Sequence, residues 1–205
     1  MDKPRLLRLG SVTSTQDVAR ELAIGSVVVA DHQTAGRGRS SHSWEAPAGA
    51  ALLVSFVLPP NPVLSLAAGV AAAEACGRGV RLKWPNDLLL DGRKVGGILV
   101  EASPARAICG IGINLTWAPE GAAQLHEPRD RLLERLRPAM KRWSSAPAEE
   151  VLARWRELSD TIGKKVRVEL PDRIVEGTAQ DIDASGALVV DGALVSAGTL
   201  SLLDG

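Results

Sequence analysis

Hydrophobic and polar positions along the chain fall into short blocks whose period changes from helical to alternating. Ser14-Thr15-Gln16-Asp17, followed by Val18, Ala19, Leu22 and Ala23, predicts a helix. Ser14 or Thr13 would be its N-cap, Asp17 sits in the first turn, and Gly25 stops it. Ser26 to Ala30 is a β-branched strand, and the polar, Gly-rich stretch from Asp31 to Ala48 predicts no regular element. Ala50 to Leu58 is a strand closed by Pro59-Pro60, and the Ala-rich run Leu64 to Cys76 is a buried helix ended by Gly77 and Gly79. Strands are predicted at Val80 to Lys83, Asp87 to Leu90 and Lys94 to Glu101, the last two joined by an Asp91-Gly92 hairpin turn. Ala105 to Leu115 is a further strand interrupted by Gly110 and Gly112. Two helices follow, Pro128 to Trp143 and Ala148 to Asp160. No element is assigned to Met1 to Gly10.

From Gly163 onward the texture changes. Lys164 to Leu170, Ile174 to Ile182, Ala187 to Val190, Ala193 to Val195 and Thr199 to Leu203 read as short strands with tight turns between them. Such spacing predicts a small barrel. The expected architecture is therefore α+β: a mixed, mostly antiparallel sheet with helices packed on it over residues 1–161, then a small β-barrel over 162–205. The boundary falls near Thr161 to Gly163.

Composition narrows the function classes. With 24 Lys+Arg against 24 Asp+Glu in 205 residues, the formal net charge is zero. No global field then draws in nucleic acid or an acidic membrane, and an anion must be held by a local cluster of cations. The apolar runs are too short to cross a bilayer, and the N-terminus lacks the apolar core of a secretory signal. Cys76 and Cys109 lack metal-like spacing; buried, reduced thiols of a cytoplasmic protein fit them best, with a disulfide left open. Five Trp, one Phe and no Tyr make each Trp either a core residue or a stacking platform.

Four constellations carry chemistry. Gly36-Arg37-Gly38-Arg39 alternates backbone freedom with guanidinium forks, a pattern suited to an anion and equally to a solvated basic loop. It is not a Walker A loop. Lys83-Trp84-Pro85-Asn86-Asp87 puts an amide and a carboxylate side by side, a pair able to hold Mg²⁺ on phosphates, while Trp84 reads as core as readily as ligand. Lys94 opens an apolar strand whose Gly96 and Gly97 permit close backbone approach. Gly112-Ile113-Asn114 ends a strand in an Asn that suits a turn or a ligand.

Taken in order, Ser14-Thr15-Gln16, Gln33 to Arg39, Lys83 to Asp87, Lys94 to Glu101 and Gly112 to Asn114 resemble the motifs of the biotin protein ligase family. Arg154-Trp155 and the β segment after it resemble that family's junction with its SH3-like C-terminal domain, so the resemblance spans nearly the whole chain. It implies a ligase that joins biotin to Mg-ATP, releases pyrophosphate, and passes biotin to a lysine of a biotin carboxyl carrier protein such as that of acetyl-CoA carboxylase. Biotin, ATP and Mg²⁺ would be substrates, with no tightly bound prosthetic group. By the same resemblance Ser14, Thr15, Gln16 and Gln33 hold the ureido head group, with Arg37, Gly38 and Gly97 completing the pocket. Arg37, Arg39 and Lys94 screen the reacting anions, with Lys94 and Arg39 as the catalytic pair. Trp44 stacks on adenine; Asn86 and Asp87 serve ATP, Asp87 also Mg²⁺; Asn114 serves the nucleotide. A homodimer is open. No winged helix precedes Ser14, so operator DNA is not an expected partner. The rival readings are a lipoate or octanoyl ligase and a non-catalytic biotin-binding regulator.

One departure stands out: the family usually has Gly-Arg where this chain has Ser41-His42. Histidine is mostly uncharged at neutral pH, whereas arginine is a permanent cation. Looser retention of the adenylate is therefore expected here. His42→Arg should slow adenylate dissociation, measured by displacement with unlabelled biotin; an unchanged rate removes this explanation.

Overall fold

The structure, a computed structural model, describes residues 3–39, 42–77 and 79–203. Its centre is β3 (Ala51–Leu58), in which all eight positions are buried. A strand covered on both faces has no reason to alternate, and the continuous apolar run of its sequence follows from that. The strand is flanked antiparallel by β2 (Val27–Gln33) and β7 (Ala107–Asn114), with Ala51 opposite Asn114 and Leu58 opposite Ala107. Beyond β7 lie β6 (Arg93–Ala102), β5 (Asp87–Leu90) and β4 (Val80–Lys83), all antiparallel. The hairpin between β5 and β6 turns at Asp91 and Gly92, both with positive φ, as the Asp-Gly pair predicts.

The far edge strand, β1 (Leu6–Val12), pairs parallel with β2 and was not anticipated. None of its residues is fully buried, so it carries no strong alternation signal; Leu7 and Leu9 are only half-buried. The sheet order is β1-β2-β3-β7-β6-β5-β4. On one face sits α2 (Leu64–Cys76), whose Ala-rich sequence is buried almost all round. It is covered by the amphipathic α3 (Arg129–Ser144) and α4 (Ala148–Leu158). On the other face lies α1 (Thr15–Ala19), capped by Ser14 as expected but only five residues long, with Arg20 as its C-cap rather than a stop at Gly25. It packs Ala19 with Leu22, Val28, Val57 and Ile108 in a smaller cluster.

The C-terminal strands are β8 (Lys165–Glu169), β9 (Ile174–Ile182), β10 (Leu188–Val190), β11 (Ala193–Val195) and β12 (Thr199–Leu202). They form an antiparallel sheet in the order β11-β10-β9-β8-β12. This separate five-stranded unit stands where the small barrel was expected, and among the described residues no ladder joins β11 to β12.

The two sheets are tied together by more than the chain. The segment after α4 lies along the β4 edge: Leu82 bridges Ser159, and Asp160 donates its N–H to the Leu82 carbonyl at 2.7 Å. Thr161 Oγ1 accepts the Trp84 N–H at 2.9 Å, and Trp84 Nε1 donates to the Gly186 carbonyl at 3.1 Å. Trp84 is thus a core residue. One apolar cluster runs from Leu52 and Trp84 through Trp155 to Val166, Val168 and Leu188, across the expected boundary.

Both cysteines are free, and burial pushes each thiol up to about 12. No helix among the described residues is long and apolar enough to cross a membrane. Trp155→Ala should cost roughly 3–5 kcal/mol in urea unfolding, because it removes a buried indole from that shared cluster. Iodoacetamide at mildly alkaline pH should label neither cysteine in the native protein and both after denaturation.

Candidate active site

The site begins with the pattern of β7. Cys109, Ile111 and Ile113 point into the main core, and the intervening Gly110, Gly112 and Asn114 belong to the opposite face. Two positions without side chains leave a depression in the sheet, and Gly97 of β6 sits directly across from Gly112. Gln16 rests over Gly110, where a Cβ would come within 3.1 Å of its amide carbon. Trp44 rests over Gly112, where a Cβ would lie 2.5 Å from the indole, and over Gly97. The glycines are therefore the space in which these two side chains lie. A cavity of about 280 Å³ opens above this floor.

One end of the cavity is polar and uncharged. Ser14, Thr15 and Gln16 are nearly fully buried at the start of α1. Thr15 donates its backbone N–H and its hydroxyl to Gln33 Oε1, at 2.8 and 3.0 Å, and its oxygen also meets Ser55 Oγ at 2.8 Å. With Oε1 so engaged, the Gln33 amide is held in one orientation, and its N–H groups have no protein partner among the described residues. That arrangement suits a carbonyl oxygen on a ligand. Ser55, the one hydroxyl in an otherwise apolar strand, is a positional signal that the sequence reading missed.

The other end is charged. Lys94 Nζ lies 2.7 Å from Asp87 Oδ1 and stands over the Trp44 ring at 6.0 Å. Arg39 Nη1 donates to Asn86 Oδ1 at 3.3 Å. Burial lowers the Arg39 pKa from its usual value, against the opposing pull of Asp87. Among the described residues Asp87 is the one carboxylate lining the cavity, against Arg37, Arg39, Lys83 and Lys94; it pairs directly with Lys94 and acts on Arg39 only through its field. A half-buried, undercompensated guanidinium favours an incoming anion, which would complete the pairing.

Every residue assigned from the sequence lines this cavity except Asn114. Asn114 is buried at the end of β7, with its Nδ2 donating to the Ala123 carbonyl at 3.0 Å and its Oδ1 without a partner. It braces the turn after β7 rather than lining the cavity. Asn86 is spent at both ends of its amide, holding Arg39 and donating to the Ile98 carbonyl at 2.8 Å. Gln16 donates to the Leu99 carbonyl. Arg37 is taken up by Asp17, bidentate at 2.8 and 3.2 Å, which raises its own pKa and lowers that of the carboxyl. Residues 36–39 and 42–44 pair, Gly38 N–H to the His42 carbonyl at 2.7 Å and Trp44 N–H to the Gly36 carbonyl at 2.9 Å. His42 Nδ1 lies 2.9 Å from the Arg39 carbonyl. Ser41, its partner in the departure noted above, lies outside the described residues. Gly198, Thr199 and Leu200, from the start of β12, also line the cavity. Nothing in their local sequence marks them, because their role comes from how the second sheet docks.

An α+β sheet with a glycine floor, an amide-lined end and an end where cations outnumber carboxylates defines a site for a ligand with a polar head and an anionic tail. Residues 9–116 match the biotin/lipoate A/B protein ligase family and residues 161–195 match the biotin protein ligase C-terminal domain. A biotin–(acetyl-CoA-carboxylase) ligase of Mycobacterium tuberculosis is 37% identical over 196 residues, covering 82% of this chain and 73% of the relative. Another from Paracoccus denitrificans is 34% identical over 229 residues, covering 90% and 93%. The chain spans 63% of the length of the bifunctional ligase/repressor BirA of Escherichia coli, at 32% identity and 83% coverage of this chain. The biotin protein ligase of Aquifex aeolicus in complex with biotin and ATP superposes with a TM-score of 0.83 at 28% identity, covering 98% of this chain and 99% of that one. The chain belongs to the biotin protein ligases of the biotin/lipoate A/B protein ligase family.

Gly112→Ala should lift Trp44 off the sheet, since the new methyl group would overlap the indole. A red-shifted tryptophan emission is expected, and the shift should vanish when the same substitution is made in a Trp44→Phe background.

Proposed function

We propose that this chain activates biotin with ATP as biotinyl-5′-adenylate and transfers the biotinyl group to a lysine of a biotin carboxyl carrier protein. The observation that carries the reading is one cavity lined both by Lys94, paired with Asp87, and Arg39, held by Asn86, and by the uncharged set Gln33, Thr15 and Ser14. A ureido carbonyl meets the Gln33 amide, and the valeryl chain crosses the glycine floor under Trp44. The carboxylate then reaches the cations.

In the first step a biotin carboxylate oxygen attacks the α-phosphorus, a P–O bond forms, and the bond to the pyrophosphate leaving group breaks. Two anions must approach, and Lys94 and Arg39 lower that repulsion in a partly dehydrated site. In the second step the acceptor lysine amine attacks the acyl carbon and AMP leaves. Lys94, 2.7 Å from Asp87 before ligand arrives, would exchange that partner for the carboxylate. Asp87, freed of Lys94, would be the residue to hold Mg²⁺ on the phosphates. Mg²⁺ keeps several waters and takes phosphate oxygens, so one carboxylate suits it; no cluster of three or more His, Cys, Asp or Glu able to cage a metal occurs among the described residues. The ion would supply charge neutralisation on the phosphates.

The division into a catalytic unit, 1–161, and a C-terminal unit, 162–205, belongs to this reading. It is supported by the absence of any shared ladder between the two sheets among the described residues. The C-terminal unit contributes Gly198 to Leu200 to the nucleotide side of the cavity.

Biotin-dependent ATP–pyrophosphate exchange is the test, with lipoate and no acid run in parallel. Exchange with biotin alone is expected; exchange driven by lipoate would transfer the chain to the other branch of the family. Biotin binding without exchange would make it a regulator. Lys94→Gln should lower kcat for adenylation by roughly 10²–10³-fold, the size of a lost transition-state charge contact, while leaving the biotin Kd within a few-fold.

A further inference from the structure

Arg37 differs from the other cavity cations, Arg39, Lys83 and Lys94, in the company it keeps. Its Nη2 is 2.8 Å from Asp17 Oδ1 and 3.5 Å from Glu101 Oε1. Arg20 reaches the same two carboxylates from the other side, at 2.7 Å to Asp17 and 2.5 Å to Glu101. Two guanidinium groups and two carboxylates thus alternate around a ring. Its members come from α1 (Asp17), the C-cap of α1 (Arg20), the loop after β2 (Arg37) and β6 (Glu101). Within the ring the charges balance, so Arg37 has little positive charge left for a ligand, whereas Lys94 pairs with Asp87 and Arg39 meets that carboxylate only through its field.

The ring also sits where it can hold something still. Residues 36–39 and 42–44 face each other across the Arg37–Ser43 bridge and the Gly38 and Trp44 amide bonds. These segments touch the rest of the site through Trp44 packed on Gly112, Arg39 on Asn86 and Arg37 in the ring. Trp44, Arg39 and Arg37 all line the ligand cavity, but Arg37 alone of the three is bound to carboxylates outside that lining. Arg37's contacts with Asp17 and Glu101 lie on the α1 side and can persist when the cavity fills.

We infer that Asp17 and Glu101, completed by Arg20, are positioning residues for the ligand site: through Arg37 they hold the paired segments 36–39 and 42–44 at the cavity, as a latch, and set how long its contents are retained. The identity of those contents, biotin and its adenylate, rests on the proposed function; the latch itself does not. The rival is that Arg37 is an anion ligand held in check by the two carboxylates. The two readings differ in sign. Neutralising the carboxylates loosens a latch, but it frees an anion ligand and tightens binding.

The full-length Asp17→Asn/Glu101→Gln variant decides between them. Without any ligand, hydrogen exchange of the Gly38 and Trp44 amides should quicken about five- to tenfold, the size expected when a rim network of ion pairs is lost. Unchanged exchange overturns the latch whatever the cavity binds. With biotinyl-adenylate loaded, dissociation followed by tryptophan fluorescence should be faster in the variant. Added salt should speed release from the unsubstituted protein and leave the variant unaffected, because the ring side chains are one-third to one-half exposed and open to screening. Transfer of biotin from pre-formed adenylate to acceptor should keep its rate. Asp17→Glu, which keeps the charge, should behave close to the original protein, and a lost unfolding midpoint in the double variant would be read by the Asp17→Asn single variant instead. Slower or equal dissociation overturns the proposal. Failure of the unsubstituted protein to bind biotin would sink the proposed function while the exchange measurement still decides the latch.

Discussion

The constraint on which the site depends is the alternation of large and absent side chains along β7. Cys109, Ile111 and Ile113 hold the strand in the core by burying apolar surface on one face, and Gly110 and Gly112 remove every atom beyond the backbone from the other. A strand with side chains on both faces would have been equally stable or more so, because glycine weakens a sheet interior. The loss is offset by β3 and β6, which clamp β7 along its whole length. What results is a rigid, flat floor on which Gln16 and Trp44 can lie close to the backbone. Every other feature of the site is measured from that floor: the Thr15–Gln33 bond above one end, and Lys94 and Arg39 above the other.

The charged end works by partial compensation. Among the described residues four cations, Arg37, Arg39, Lys83 and Lys94, and one carboxylate, Asp87, line the cavity, and Arg37 is satisfied outside it by Asp17 and Glu101. Lys94 is paired with Asp87, and Arg39 lies in the field of that carboxylate while donating to Asn86, so with Lys83 the lining carries more positive than negative charge. A fully paired set would repel an incoming carboxylate, and a wholly unpaired one would be too costly to bury. Arg39, with its pKa lowered by burial, sits on the favourable side of that balance.

Much of this was legible in the sequence, and the exceptions share a cause. The buried elements were clear because burial leaves a mark on composition: β3 as an unbroken apolar run, α2 as an alanine-rich helix, the β5–β6 turn as Asp-Gly. The edge strand β1 was not, because half-exposed residues in a parallel pair are free to be almost anything. The cluster of motif residues pointed to one cavity, and the cavity exists. Asn114 could not be separated from a ligand by its neighbours in sequence, and only the fold shows its amide turned to Ala123. The partners of Arg37 were invisible for a different reason. Asp17 and Glu101 lie 84 positions apart on different elements, and a pairing across that distance exists only once the sheet brings α1 and β6 together. Gly198 to Leu200 reach the cavity in the same way, through docking rather than pattern.

Trp84 links the two sheets in a manner that bears on how the molecule fails. Its backbone N–H is held by Thr161 and its indole by the Gly186 carbonyl, so both of its donors are satisfied by residues that follow α4. Three residues on, Asp87 holds Lys94. If the small sheet were to open on its own, the buried Trp84 indole would lose its Gly186 partner and Gly198 to Leu200 would leave the cavity, while the Thr161 bond to the Trp84 amide stayed. Partial opening of the C-terminal region is therefore not a silent fluctuation at the periphery. Because one apolar cluster and the Trp84 indole are shared by both sheets, loosening of the smaller one is felt at the turn that carries Asn86 and Asp87.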